Sequence, residues 1–155
     1  MHEDLLRHIW SKQLFDTTRL VTTDGQAVRI FNPGILSRTS GPDFRNASIE
    51  INGTSYIGDI EFHRSSDDWK LHHHHNDPNY NSVVLHVVFS GKTDHIVTHS
   101  GRTIPSIVLE PLLFSPLESM QHHLSREEYR SNQKTIRCSG LNNSINSTLL
   151  SGWIN

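Results

Sequence analysis

Residues 41–63 read GPDFRNASIEINGTSYIGDIEFH, and this stretch decides the fold. Ala47, Ile49 and Ile51 alternate with Ser48 and Glu50, the period-two pattern of a strand with one buried face. Asn52-Gly53 follows, the dipeptide best suited to the two positive φ angles of a tight hairpin turn. The return strand runs from about Ser55 to His63. The hairpin places chemistry at its open end: Asp43 enters the first strand, while Glu61 and His63, two apart, project from one face of the second. Seventeen residues lie between Asp43 and Glu61, yet the turn folds the chain so that the register can bring the two carboxylates together.

Downstream, Ser65 or Ser66 followed by Asp67 and Asp68 predicts the start of a short helix, with an oxygen cap and acids at the positive end of the dipole. Pro78 is expected to end it. SVVLHVVF, residues 82–89, is β-branched and almost continuously apolar, as in a strand buried on both faces. The Ser65–His75 segment is long enough to cross over the sheet, so the strands on either side of it can run parallel. A second hairpin is expected, His95 to Thr98 against Ile104 to Leu109 across Ser100-Gly101.

Upstream, Leu5, Leu6, Ile9, Trp10 and Leu14 recur at three- and four-residue spacing and predict an opening helix from Glu3 to about Leu20. The TTDGQ turn, a short strand from Ala27 to Phe31, a break at Asn32-Pro33-Gly34 and the polar loop SRTSGPDF lead into the hairpin. The expected class is α/β, a mixed central sheet with flanking helices over residues 1–110. Residues 111–155 read as the start of a C-terminal helical region: SPLESMQHHLSREEYRSN is helical in pattern, and LNNSINSTLLSGWIN begins a helix that stops. The expectation is therefore the N-terminal part of a longer protein.

Composition limits the function. The 155 residues, 34% hydrophobic, suffice for one domain with a core. Fourteen basic and sixteen acidic side chains give a net charge of -2, so no bulk positive field attracts nucleic acid or membrane, and such binding requires a local patch. One cysteine, Cys138, excludes a disulfide framework and cysteine-rich zinc modules. MHEDLLRHIW lacks the basic and apolar regions of a signal peptide, and no run reaches membrane-spanning length, so a cytoplasmic protein is expected.

Twelve histidines, four of them consecutive from His72 to His75, are the compositional outlier. The plain reading of that run is the solvated end of a short helix. The alternative is a site in which His73 or His75, with His63 and His86, holds Zn²⁺ or faces a phosphate. His86 lies within an apolar strand and needs a partner there. Trp10 and Trp69 read as core, Asp77 and Tyr80 as the turn before the strand, and Gly25, Gly34 and Gly58 as backbone punctuation. No phosphate-cradling Gly-Lys loop or nucleophile elbow is present.

Pro42-Asp43 followed by Glu61-Phe62-His63 resembles the PD-(D/E)XK phosphodiesterase motif, within the helix, strand, hairpin, helix, strand order of that superfamily. The resemblance implies a restriction-endonuclease-like core and a nucleic-acid substrate. It implies Asp43 and Glu61 as ligands of Mg²⁺ or Mn²⁺, with Glu3 on the opening helix as a further acid. His63 stands where the superfamily has a lysine that polarises water and phosphate. MHEDLLRHIW, TTDGQ, NPG, GPDF, SSDDW, HHHHNDPNY and VVLHVV also resemble a bacterial family called domain of unknown function 2851. Two other functions fit the residues: a histidine-site metalloprotein of another class, or an inactive scaffold that binds nucleic acid or protein.

Overall fold

The β3–β4 hairpin, Phe44–Ile51 against Thr54–His63, is the centre of a six-stranded mixed sheet. In this computed structural model, residues 3–93 and 95–126 are described. The chain divides into Met1–Phe114 and Ser115–Asn155. In the second unit residues 117–126 are helical. The rest of the expected C-terminal helices lies outside the described residues.

In the first unit the elements are α1 (Glu3–Ser11), β1 (Val28–Asn32), β2 (Ile35–Leu36), β3, β4, α2 (Asp68–Leu71), β5 (Val83–Val88), β6 (Ile96–Val97), β7 (Thr103–Ile104) and β8 (Ser106–Val108). The strand order is β1-β3-β4-β5-β8, with β2 also on β3. β1, β2 and β4 pair antiparallel to β3, while β5 runs parallel to β4 and β8 parallel to β5. Asn52 and Gly53 take φ of 48° and 82°, the left-handed pair the hairpin turn requires. Between β4 and β5 the chain crosses over through α2 and two 3₁₀ turns, His74–Asn76 and Pro78–Tyr80. All six residues of β5 are buried, as an interior parallel strand requires.

Alternation along β4 sends side chains to two cores. Phe62 meets Trp10 edge-on at 5.4 Å and Phe44 at 5.5 Å, so α1 covers this face. On the opposite face Trp69 of α2 packs with Tyr80, Val83, Ile96 and Ile104. Trp10 and Trp69 are core, and each indole N–H is satisfied by a backbone carbonyl, that of Pro33 or Val97.

Three elements differ from the sequence expectation. The opening helix ends at Ser11 rather than near Leu20. Gln13 turns left-handed at φ 51°, the Leu14 N–H donates to the Ile9 carbonyl and the Gln13 N–H to that of Trp10. This is a Schellman closure with glutamine where glycine is usual. Thr17–Arg19 is then a separate 3₁₀ turn. The second hairpin is shorter: β6 pairs only with Thr103–Ile104, and after Pro105 the chain joins β5 as β8. Proline has no N–H for a ladder, but its carbonyl accepts the His86 N–H at 3.0 Å, marking the change of partner. Finally, α2 ends at Leu71 and not at Pro78, which instead opens a 3₁₀ turn with the Asp77 side chain accepting the Asn79 N–H at 2.9 Å.

Candidate metal centre

The open end of the hairpin is shaped by a bulge. Arg45 and Asn46 together oppose Asp59, between the Phe44–Ile60 and Ala47–Gly58 pairs. Asn46 is left-handed at φ 56°, and its N–H donates to Asp59 Oδ1 at 3.1 Å. Such a bulge turns the strand end and re-aims what precedes it. Here that residue is Asp43, which reaches back over β4. Its Oδ2 accepts the Phe62 N–H at 3.0 Å, and its own N–H donates to Glu61 Oε2 at 3.0 Å. The two acids are thereby fixed side by side, both almost wholly buried.

Charge balance comes from α1. Arg7 donates through Nε to Asp43 Oδ1 at 2.7 Å, and its terminal nitrogens pair with Asp4 at 2.7 Å and Glu3 at 3.3 Å. Burial nevertheless raises the Asp43 carboxyl above its ordinary range despite Arg7. Burial, and then the neighbouring Asp43, push Glu61 up to about 9. Without an ion, burial of the pair favours its protonated form. The cleft beside them, about 740 Å³, is walled by α1, the 36–41 loop and the turns before β5, with Glu3, Asp43, Glu61 and Arg38 among its lining.

On the α2 side a file of histidines starts behind Glu61. Glu61 Oε1 lies 3.3 Å from His74 Nε2 and 3.6 Å from His63 Nε2. His63 Nδ1 is 2.8 Å from His86 Nε2, and His86 Nδ1 is 3.3 Å from Ser106 Oγ. Burial first, and then His86, lower His63 to about 2; burial, and then His74, lower His86 to about 3; burial also lowers His74. All three rings are neutral at physiological pH. His86 thus finds its partners in His63 and Ser106.

Among the candidate residues, the structure brings together Asp43, Glu61, Glu3, His63 and His86. It does not bring His73 or His75 to them: their rings face each other at 6.2 Å. Their neighbours in the run take the place instead, since His63, His72 and His74 offer nitrogens that all lie within 4.8 Å of one another. Sequence reasoning also passed over Arg7, although its spacing of three from Asp4 and four from Glu3 is a signal for helix pairing. Tyr80, read as a turn residue, is buried and stacks on His74 at 3.8 Å.

A mixed sheet with a hairpin, a crossover and a buried acid pair at one end defines an α/β protein with a candidate metal centre. The chain belongs to the family described as a protein of unknown function (DUF2851), which matches residues 3–155. No curated protein and no solved structure matches it. Among the described residues no helix is long and apolar enough to cross a membrane.

Proposed function

We propose that this protein is a metal-dependent phosphodiesterase acting on nucleic acid, built on a core of the PD-(D/E)XK kind within residues 1–110. The observation that carries the reading is the buried Asp43–Glu61 pair, hydrogen-bonded to each other's strands at the end of the sheet and open to an acidic cleft. The order of opening helix, hairpin, crossover and parallel strand supports it.

The donor set fits a hard divalent cation. Carboxylate oxygens are the ligands Mg²⁺ and Mn²⁺ prefer, and Asp43 and Glu61 are fixed side by side, both almost wholly buried. Asp43 and Glu61 would hold the ion, with Glu3 at the rim. Such an ion supplies Lewis acidity toward a phosphate oxygen and lowers the pKa of a bound water.

The remaining roles belong to the chain. His63, in the place of the superfamily's lysine, is buried and neutral, so it brings no positive charge to the phosphate. Arg7 is the cation beside Asp43 and takes that part, since a guanidinium stays charged and matches phosphate geometry. Arg38 lines the same cleft, and Arg64 lines an adjoining groove that shares Glu3 and His72. These arginines stand among the acids of the cleft, Glu3, Asp4, Asp43 and Glu61, and are the cations there that a phosphate backbone could meet on a chain of net charge -2.

The test is cleavage of single- and double-stranded DNA and RNA by the purified protein with Mg²⁺ or Mn²⁺. Wild-type activity that Asp43→Asn abolishes supports the reading. No cleavage of any of the four substrates with either ion would overturn it.

A further inference from the structure

We propose that His63, His72 and His74, with Glu61 as the fourth ligand, form a nitrogen-rich site for a borderline transition metal of the Zn²⁺ type. This site shares Glu61 with the carboxylate ion of the phosphodiesterase reading but lies on its histidine side, and it selects a different class of cation. Oxygen donors suit Mg²⁺, whereas imidazoles suit zinc and its first-row neighbours.

The first observation is two orphaned nitrogens. His63 Nε2 and His74 Nε2 are buried and have no hydrogen-bond partner. Glu61 Oε1 is near both, but at 3.6 Å from His63 Nε2 it is too far for a hydrogen bond, and at 3.3 Å from His74 Nε2 it makes none. The side chains themselves are about nine-tenths buried or more, that of His63 being 1% and that of His74 10% exposed. A buried polar atom left unpaired destabilises the fold, and here two such atoms converge on one carboxylate oxygen.

Second, the nitrogen lone pair is oriented from behind. Ligating histidines commonly donate their other N–H to a fixed acceptor, which sets the tautomer. His63 has that partner in His86: in the tautomer in which His63 Nδ1–H donates to His86 Nε2 and His86 Nδ1–H to Ser106 Oγ, the lone pair of His63 falls on Nε2. The buried Ser106 hydroxyl anchors the relay.

Third, the backbone is bent to make the triad. On a regular helix residues two apart point to nearly opposite sides, so His72 and His74 would diverge. His73 between them adopts left-handed φ 60°, a conformation non-glycine residues seldom take. The rings of His72 and His74 consequently both come to His63, at 5.0 and 5.1 Å between centroids. Tyr80 stacked on His74 and the edge of Trp69 at 5.3 Å hold that imidazole in place.

The nitrogens lie within 4.8 Å of one another. Tetrahedral zinc, with Zn–N bonds of about 2.0–2.1 Å, sets its donors roughly 3.3 Å apart. The exposed His72 supplies the small closing movement, and the cleft that it lines with His74 and Glu61 gives the ion a path from solvent.

The experiment titrates the metal-free full chain with Co²⁺, a spectroscopic stand-in for zinc, followed by displacement with Zn²⁺. The expected result is one tight equivalent with visible tetrahedral d–d bands that Zn²⁺ bleaches and excess Mg²⁺ does not. His72→Ala, at an exposed position that folding tolerates, weakens Co²⁺ binding by at least about tenfold. His73→Asn, which keeps the left-handed backbone, binds like wild type. Equal affinities for wild type and His72→Ala overturn the site, as does equal weakening by His72→Ala and His73→Asn. Loss of binding in Asp43→Asn but not in His72→Ala would place the ion on the carboxylates and overturn it as well.

Discussion

Asp43 and Glu61 clasp each other across the end of the β3–β4 hairpin: the Asp43 N–H donates to Glu61 Oε2, and Asp43 Oδ2 accepts from the amide that follows Glu61, both at 3.0 Å. Two carboxyls held this way repel when both ionise, and a divalent cation relieves the repulsion. A cation that binds only the folded chain stabilises it by mass action, on the order of 2.7 kcal/mol at a hundred times its Kd. Mg²⁺ and Mn²⁺ should therefore raise the melting temperature of the wild type, and Asp43→Asn should lose most of the rise. Equal shifts in the two proteins would mean that these ions bind elsewhere.

Gly58 tests the packing beneath that site. A β-carbon there would lie 2.4 Å from Val84 Cγ1 and 2.6 Å from the Ser82 carbonyl oxygen. The cause is the irregular register in which Asp59 pairs with Val83 but Ile60 with Leu85, leaving Val84 against Gly58. Backbone cannot yield as a flexible side chain does, so Gly58→Ala should destabilise the fold by roughly 1–3 kcal/mol, the usual range for overpacking. Denaturant unfolding measures this, and a change below about 0.5 kcal/mol, the ordinary scatter for surface substitutions, would refute the close approach.

The hairpin and β5 were legible because local chemistry alone specifies them. Asn52-Gly53 demands its turn, and a run such as Val83–Val88 has no amphipathic alternative. The acid pair was legible because it rides on that hairpin's register. The opening helix was overextended because Gln13 closes it without the glycine that normally announces a stop. β8 was hidden because three residues after Pro105 carry too little pattern to reveal a change of partner. The histidine run misled for a geometric reason: sequence spacing cannot show that His73 turns left-handed, and that single φ decides which alternate rings face His63.

Stability against pH follows from opposed burials. His63, His74 and His86 have folded pKa values below their ordinary 6.5, so the unfolded chain binds more protons below that value. Their contribution is complete above pH 6.5 and is lost as the pH falls from there toward the folded values. Glu61 is raised from 4.5 to about 9, and Asp43 is raised from 3.8, so their contribution is present at low pH and lost as pH climbs toward 9. Three imidazoles outweigh two carboxyls on the acid side. The ion-free protein should therefore melt highest near pH 6.5, and Glu61→Gln should remove most of the decline between pH 7 and 9. A wild-type melting temperature that is level or rising across that interval would show Glu61 to be ionised in the fold.

The last prediction concerns the positive charge. His63 is lowered to about 2 by burial and by its neighbouring imidazoles, so it stays neutral throughout the working range. Arg7, bonded to Asp43 at 2.7 Å, stays charged over the same range. Cleavage of nucleic acid with Mg²⁺ should consequently show no falling limb near pH 6.5, the signature of a histidine cation losing its proton. Arg7→Gln should slow the reaction by roughly 10²–10³-fold, the scale for removing one donor to a developing negative charge. Arg7→Lys should retain more of the rate, because it keeps the charge while losing the fork that pairs with Asp43, Asp4 and Glu3 together. Circular dichroism of each variant separates a lost fold from a lost charge. A falling limb near pH 6.5 that disappears in His63→Lys would reverse the assignment, making His63 the working cation and leaving Arg7 only to hold Asp43 in place.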